Sequence, residues 1–351
     1  MTEHTTLQQF DISIVGGGMV GAAIALALGQ AGLSVALIEK FAPVAFDNSS
    51  APDLRVSSIN LASEAWLTQL GAWQAVTQMR LCPYQRLQAF EHPGSIVTFN
   101  AADIKRSHLG HIVENNLLQL ALWQQFNANV TIFCPASVVA LSQTADSAML
   151  TLDNGAQLAS KLVVAADGGN SQLRQFVGIG TNGWQYRQAC LVALINTPYA
   201  QQDVTWQQFT PTGPKAFLPL PGAQGSVVWY DDAQRVKQLS ALKPALLTQE
   251  LHKAFPAMLG EVEVVASSWF PLARMDANRY YSGRVVLAGD AAHIMPVWQG
   301  QGYNSGMRDA LNLAWKLALV IKGLAADSLL DSYEQERRDH AKAMINLSVL
   351  A

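Results

Sequence analysis

Three glycines, spaced Gly16-x-Gly18-x-x-Gly21, stand between the apolar run Asp11-Ile-Ser-Ile-Val15 and the helix-forming stretch Ala22 to Ala31. Gly16 allows a tight turn, Gly18 lets the backbone approach a pyrophosphate, and Gly21 lets helix and strand pack closely. The pyrophosphate would sit on the N–H groups at the helix start. Glu39 ends the next apolar run, Ser34 to Glu39, 18 residues past Gly21. A carboxylate there can accept hydrogen bonds from a ribose diol. Strand, turn, helix and acid together specify an ADP-containing dinucleotide, whereas the glycine pattern alone would be weak. Glutamate also tells against NADP at this site, because it would repel a 2′-phosphate.

Two later segments repeat the theme of a buried strand running into a polar turn. Leu162-Val-Val-Ala-Ala166 leads into Asp167-Gly-Gly-Asn-Ser-Gln-Leu-Arg174. Arg284-Val-Val-Leu-Ala288 leads into Gly289-Asp290-Ala-Ala-His-Ile-Met-Pro296 and then Gly300-Gln-Gly302-Tyr-Asn304. In isolation Asp167 and Asp290 are best read as caps of the turns that follow, and Arg55 as a loop charge. His293 reads as a structural hydrogen-bonding histidine. The other six histidines show no metal spacing, so no metal site is expected. There is no Gly-x-Ser-x-Gly elbow to support hydrolase chemistry.

These residues need a frame. The first 39 residues read as a βαβ unit. Helices are expected at Ser58–Leu70, Glu114–Phe126, Asn304–Ile321 and Ser328–Leu347. Leu87–Phe99 reads as strand or hairpin, with strands at Val130–Cys134, Val138–Ser142 and Ala148–Leu152, and Asp153-Asn-Gly155 as a hairpin turn. From Thr181 to Met275 the texture is β-rich: Ala189–Ile195, Val204–Phe209, Ser226–Tyr230 and Val262–Phe270, with one helix near Leu246–Phe255. This predicts an α/β protein: a Rossmann-like dinucleotide-binding domain with an inserted β-rich domain. The expected division is 1–80, 101–180 and 276–351 for the first, and 81–100 and 181–275 for the second.

Composition limits the partners. Lys+Arg 23 against Asp+Glu 26 gives a net charge of −3, which offers no footprint for nucleic acid. Charged residues make up only 14% of the chain and hydrophobic ones 50%, so an apolar substrate or membrane face is consistent with it. The sparse cysteines Cys82, Cys134 and Cys190 form neither a disulfide framework nor a zinc or iron–sulfur pattern, and are expected to be buried in a reducing compartment. The polar N-terminus lacks a signal-peptide pattern, and Ala310 to Ala326 is too interrupted to span a bilayer. A cytoplasmic protein is expected, with peripheral membrane association left open.

With all three motifs in order, the chain resembles the class A flavoprotein aromatic hydroxylases, the group typified by para-hydroxybenzoate hydroxylase. The resemblance implies FAD as cofactor, NADH or NADPH as co-substrate, and O2 as the oxygen source for a ring hydroxylation. It places Asp290, after Gly289, on the ribityl chain of FAD. Gly300, Gly302 and Asn304 fall against the flavin ring. Asp167 and Arg174 fall in the motif linked to both FAD and the nicotinamide cofactor. Arg55, in Asp53-Leu-Arg-Val-Ser57, matches an arginine near the pyrophosphate and the mobile flavin, and Pro296 a proline beside the edge where oxygen reacts.

Within the family, residues 12–287 look like the ubiquinone-biosynthesis hydroxylases, on stretches such as Val113-Glu-Asn-Asn116, Trp184-Gln-Tyr186 and Trp206-Gln-Gln-Phe-Thr-Pro211. Residues 288–347 look more like hydroxylases of 3-(3-hydroxyphenyl)propionate. Because the β-rich segment lies in the first part, a prenylated benzoquinol is the expected substrate and a small phenol the alternative. Peripheral contact with a membrane or with a ubiquinone-biosynthesis complex is left open. The chain ends earlier than the family pattern, so a C-terminal piece is expected to be absent. A dehydrogenase or reductase on the same fold, or an idle flavin-binding subunit, are the readings from other classes. Trp206, Phe209, Phe217, Pro219 and Pro221 are expected as a group to wall an apolar substrate pocket, and Trp298 to lie near the flavin edge. Arg187, Lys215 or Arg274 would be the partners of a charged side chain.

Overall fold

The computed structural model describes residues 7–92, 94–296 and 300–347. The opening βαβ unit forms as its pattern dictates, with strand Leu7–Val15, helix Met19–Gln30 and strand Val35–Ile38. Its helix is rich in alanine and leucine and buries eight residues, so it is a core element and not an amphipathic surface helix. Strands Val285–Leu287, Gln157–Ala165, Leu7–Val15, Val35–Ile38 and Val130–Phe133 lie side by side, all parallel. The meander Val138–Gln143 and Ala148–Leu152 extends the sheet antiparallel from Gln157–Ala165, turning at Gly155 (φ +85°). Strands Val35–Ile38 and Val285–Leu287 are wholly buried, as are the C-terminal halves Ile12–Val15 and Leu162–Ala165 of their neighbours, as a sheet covered on both faces requires. Helices Met19–Gln30 and Gly302–Ile321 pack together in the same core cluster as these strands.

A second, mostly antiparallel sheet runs in the order His293–Ile294, Glu263–Ala277, Thr181–Asn196, Gln224–Asp232, Lys215–Leu220, Val204–Gln208, Arg86–Phe90, Val97–Asn100. Leu87–Phe99 is therefore a hairpin, as expected. The two long strands Thr181–Asn196 and Glu263–Ala277 exceed the expected runs, because their polar ends pair with each other from Thr181↔Ala277 onward. One face of this sheet is covered by helices Ala233–Ser240 and Pro244–Ala254 around a core of Leu191, Trp206, Phe217, Trp229 and Phe255. The sequence shows only one of these helices. The other buries just Val236 and Leu239 and starts at Asp232, whose side chain accepts from the Gln234 N–H.

A small sheet of Val56–Asn60, Gly110–Glu114 and Cys82–Tyr84 adjoins both. Here the expected helix at Ser58 is corrected. Val56–Asn60 is a strand paired with Gly110–Glu114, and the helix is Leu61–Gln69, capped by Asn60 Oδ1 on the Ser63 N–H (2.9 Å). Cys82 and Cys190 are buried, while Cys134 is only half-buried. No helix among the described residues is long and apolar enough to cross a membrane.

Candidate active site

Parallel strands present their C-terminal ends at one edge, and that edge is where open α/β sheets bind ligands. Gly16 follows Val15, Glu39 follows Ile38, Asp167 lies two residues past Ala165, and Gly289 two past Leu287. The fold thus brings the three motifs to one line.

At the first turn Gly16 has φ +102°, and a Cβ there would stand 2.2 Å from the Ala166 carbonyl oxygen. A Cβ on Gly21 would meet the Gly16 oxygen at 1.9 Å, so both positions require glycine. Gly18 differs: nothing lies within 4 Å of its Cβ position, so the turn opens onto space. The following helix has no side-chain cap and no acid in its first turn, which leaves its N–H groups for an anion. Gly17 is fixed by the Gln119 amide (2.9 Å) and the Trp123 indole (2.8 Å) on its carbonyl oxygen. Glu39 accepts the Gly17 N–H at 2.5 Å and those of Lys40 and Phe41 at 2.7 and 3.0 Å. A carboxylate offers about four lone-pair sites, so acceptor capacity remains for a sugar hydroxyl.

The second and third motifs are knitted by Arg174. It is buried and donates to the Ala291 carbonyl at 2.8 Å and to that of Gly169 at 2.8 Å. Asp167 accepts the Leu173 N–H with one oxygen, and its other oxygen is buried with no hydrogen-bond partner. Asp290 is exposed to solvent, yet densely walled in. That crowding pushes its carboxyl above the usual carboxylate range, against the pull of His293 and Arg55 and with the push of Asp309. An accessible carboxyl in crowded surroundings is what the lining of a hollow provides. Arg55, itself exposed, is close enough for its charge to act there. Its loop is pinned by Glu114, which accepts the Asp53 N–H and pairs with Arg80 (2.8 Å).

Among the described residues nothing lies within 4 Å of a Cβ placed on Gly300 or Gly302, at the start of helix Gly302–Ile321, whose N-cap Gln301 gives no side-chain bond. Asn304 is buried and fully engaged. Its amide donates to the Ser58 and Gly300 carbonyls, and its oxygen accepts from the Ser63 hydroxyl and the Asn60 N–H. Its side chain holds the helix start in place, and only its backbone is available to a ligand. Pro296 is buried at the end of the third motif. The expectation on Trp298 lies outside the described residues.

Sequence reasoning missed what anchors the third motif. Asp309 is fully buried and accepts from His293 Nε2 (2.6 Å), the Gly289 N–H (3.1 Å) and Arg337 Nε (2.7 Å). Nothing in the sequence pairs residues on two separate helices with a strand-end loop.

The expected pocket wall is corrected. Trp206 and Phe217 are 3% and 1% exposed, directly paired across two strands, and stacked at 5.9 Å on the helix-covered face. Side chains alternate across a strand, so the opposite face carries Cys190, Val192, Tyr230 and Leu272. Against it pack Leu54, Tyr186, Val228 and Phe270. Leu54 adjoins Arg55, which places this face beside the motifs. Lys215 also belongs to the covered face, bonded to the Ala254 carbonyl (2.8 Å) and set over Trp229.

Residues 9–348 match the family described as FAD binding domain. The chain belongs to that family. It is 46% identical over 306 residues to the 3-demethoxyubiquinol 3-hydroxylase of Escherichia coli (strain K12), covering 87% of this chain and 78% of that one. It is 37% identical over 362 residues to the 3-(3-hydroxy-phenyl)propionate/3-hydroxycinnamic acid hydroxylase of Klebsiella pneumoniae, covering 99% of this chain and 62% of that one. The p-nitrophenol 4-monooxygenase PnpA of Pseudomonas putida DLL-E4 superposes with a TM-score of 0.80 at 21% identity, over 97% of this chain and 89% of that one. That likeness bears on the fold, and the expected FAD-binding α/β architecture agrees with it.

FAD, the family's cofactor, fits this edge. The turn at Gly18 opens onto space, two helix N-termini lack caps, and an accessible carboxyl stands at the third strand end.

Proposed function

We propose that this protein is an FAD-dependent aromatic-ring monooxygenase that uses NADH or NADPH and O2 to hydroxylate a prenylated benzoquinol in ubiquinone biosynthesis. The observation that carries the reading is the 46% identity, over 87% of the chain, to a demethoxyubiquinol hydroxylase. The matching phenylpropionate hydroxylase, at 37%, supports a small phenol as the second reading. The deciding experiment is nicotinamide oxidation coupled to product mass, with ¹⁸O2, across prenylated quinols and small phenols. Label in a quinol product supports the proposal. Oxidation of nicotinamide with no oxygen incorporated would point to a reductase instead.

In this reading the FAD-binding domain comprises 1–80, 101–180 and 276–351, and the substrate domain 81–100 and 181–275. FAD held there would supply the redox chemistry, by which nicotinamide electrons and O2 put one oxygen atom on an electron-rich ring and reduce the other to water. The chain's own residues bind and orient. The Gly16–Gly21 turn takes the pyrophosphate, Glu39 a ribose diol, and Asp290 the ribityl hydroxyls. The N–H groups beside Gly300 and Gly302 stabilise negative charge on the reduced ring. Arg55, Asp167 and Arg174 hold the loops around them, and Pro296 borders the ring edge. The apolar face of Leu54, Val192, Val228 and Phe270 excludes water from the reacting ring. An apolar, membrane-dissolved substrate would also give the protein reason to meet a membrane surface or a biosynthetic complex.

Two measurements test the placement. Glu39→Ala removes sugar hydrogen bonds worth about 0.5–1.5 kcal/mol each, and also strips the Gly17 N–H of its acceptor. FAD affinity, titrated into apoprotein by flavin fluorescence, should fall about tenfold, and an unchanged Kd would put the ADP end elsewhere. Asp290→Ala removes a charge-assisted bond worth about 1.5–3 kcal/mol. The purified variant should retain clearly less flavin, read from its visible absorbance against protein. Full occupancy with normal turnover would refute the role.

A further inference from the structure

Around the small three-stranded sheet, the fold gathers two histidines and a glutamate that the sequence holds apart. Glu64 lies in the first turn of helix Leu61–Gln69, His111 in strand Gly110–Glu114, and His108 just before that strand. The Glu64 Oε2 atom is 2.8 Å from His108 Nε2 and 3.3 Å from His111 Nδ1. All three donor atoms lie within 4.8 Å of one another.

The cluster is incomplete as a hydrogen-bonded pair. His108 satisfies one lone pair of Glu64. His111, whose side chain is 9% exposed, leaves its Nδ1 buried and without a hydrogen bond, although the carboxylate is adjacent. The His111 nitrogen faces the carboxylate at 3.3 Å without forming a hydrogen bond to it, an arrangement in which a cation could engage all three donors. We propose that Glu64, His108 and His111 form a binding site for one divalent cation of the zinc class, with water completing the coordination.

The donor chemistry fits. Two imidazoles and one carboxylate are a zinc set that leaves a position open, and imidazole ligands favour borderline metals over magnesium or calcium. An orienting partner is present: the Ser107 hydroxyl lies 2.9 Å from His108 Nδ1, which frees Nε2 to face the cluster. An entry path exists, because the His108 and Glu64 side chains are 19% and 20% exposed. In the metal-free state a proton on His108 Nε2 bonds to Glu64. A cation would take that place and leave the ring neutral, its one proton moved to Nδ1 and donated to the Ser107 hydroxyl oxygen. The ion would join helix Leu61–Gln69, which carries the Ser63 hydroxyl bonded to Asn304, to strand Gly110–Glu114. The Trp73 ring packs edge-on against His111 at 5.1 Å, which supplies a fluorescence reporter.

The test uses FAD-loaded protein dialysed against chelator and titrated with zinc chloride, with uptake counted by elemental analysis and calorimetry. We expect one ion per chain, a rise in Tm and a change in tryptophan emission. Ser107→Ala should weaken binding roughly 10–100-fold, and His108→Ala and Glu64→Gln by more, with flavin content unchanged. His108 is partly exposed and lies just before the strand, so its variant reports even where Glu64→Gln folds poorly. No saturable uptake by the wild type, or equal uptake by His108→Ala, would overturn the site.

Discussion

Asp309→Ala should cost about 3–5 kcal/mol of stability, the usual penalty for removing one partner of a buried ion pair. The carboxylate is fully buried between two cationic partners. Burial alone would raise its pKa, but His293 and Arg337 overcome this and hold it below the usual value. Burial likewise pulls His293 down, and Asp309 more than offsets it, so His293 titrates above its ordinary value. Removing Asp309 leaves Arg337 buried with, among the described residues, the Ser305 carbonyl and hydroxyl as its hydrogen-bond partners, both at 3.2 Å. It also releases the Gly289 N–H, so flavin retention should fall together with stability.

The pH dependence carries a sign. The Asp309 contribution is present above its unfolded pKa of 3.8 and is lost as pH falls through the lowered folded value. The His293 contribution is complete below 6.5 and is lost as pH rises through the raised folded value. The gap between wild type and variant should therefore be widest near pH 5–6 and narrow above about 6.5. Denaturant melts at several pH values measure it. A gap under about 1 kcal/mol, typical of a surface pair, or one independent of pH, would refute the anchoring role.

The network also shows where legibility stops. The Gly16–Gly21 turn, its strands and its helix are readable because each uses local chemistry within about 40 residues. The strand-end motifs are readable because a buried apolar run before a Gly-Asp or Asp-Gly turn marks the end of a covered parallel strand. Asp309 and Arg337 lie 28 residues apart on separate helices, and no local pattern pairs them. Glu64 and His108 lie 44 apart, joined only by strand pairing and helix placement. The exposed segment Thr181–Arg187 becomes strand through its partner and not through its own periodicity. Trp206 and Phe217 show the same limit from the other side. Their types suit a pocket wall, but the face they occupy is set by register and by two helices, one of them nearly silent in sequence.

Substrate preference follows from which face remains. The face beside Leu54 and Arg55 presents the half-buried Val228 and Phe270, with the buried Val192 and Leu272 packed in the same cluster, all apolar groups suited to a prenyl tail. Each buried CH2 contributes about 0.8 kcal/mol, so even half-burial of one isoprene unit is worth roughly 2 kcal/mol. KM for prenylated quinols should drop by more than about tenfold on adding the first isoprene unit, and then level off as the tail outgrows the face. A phenylpropionate would need a cation for its carboxylate. Of the three candidates, Lys215 is committed to the covered face. Arg274 stacks on Trp184 at 4.2 Å, and Arg187 is exposed. An unpaired carboxylate on the apolar face would cost several kcal/mol. The expected kcat/KM for a short-chain prenyl quinol therefore exceeds that for 3-(3-hydroxyphenyl)propionate by about 100-fold or more, the factor that roughly 2.7 kcal/mol supplies. Steady-state kinetics on the two substrates, with product mass confirming hydroxylation, decides it. A preference for the phenylpropionate, abolished by Arg274→Ala, would assign the chain to small phenols and reject the quinol.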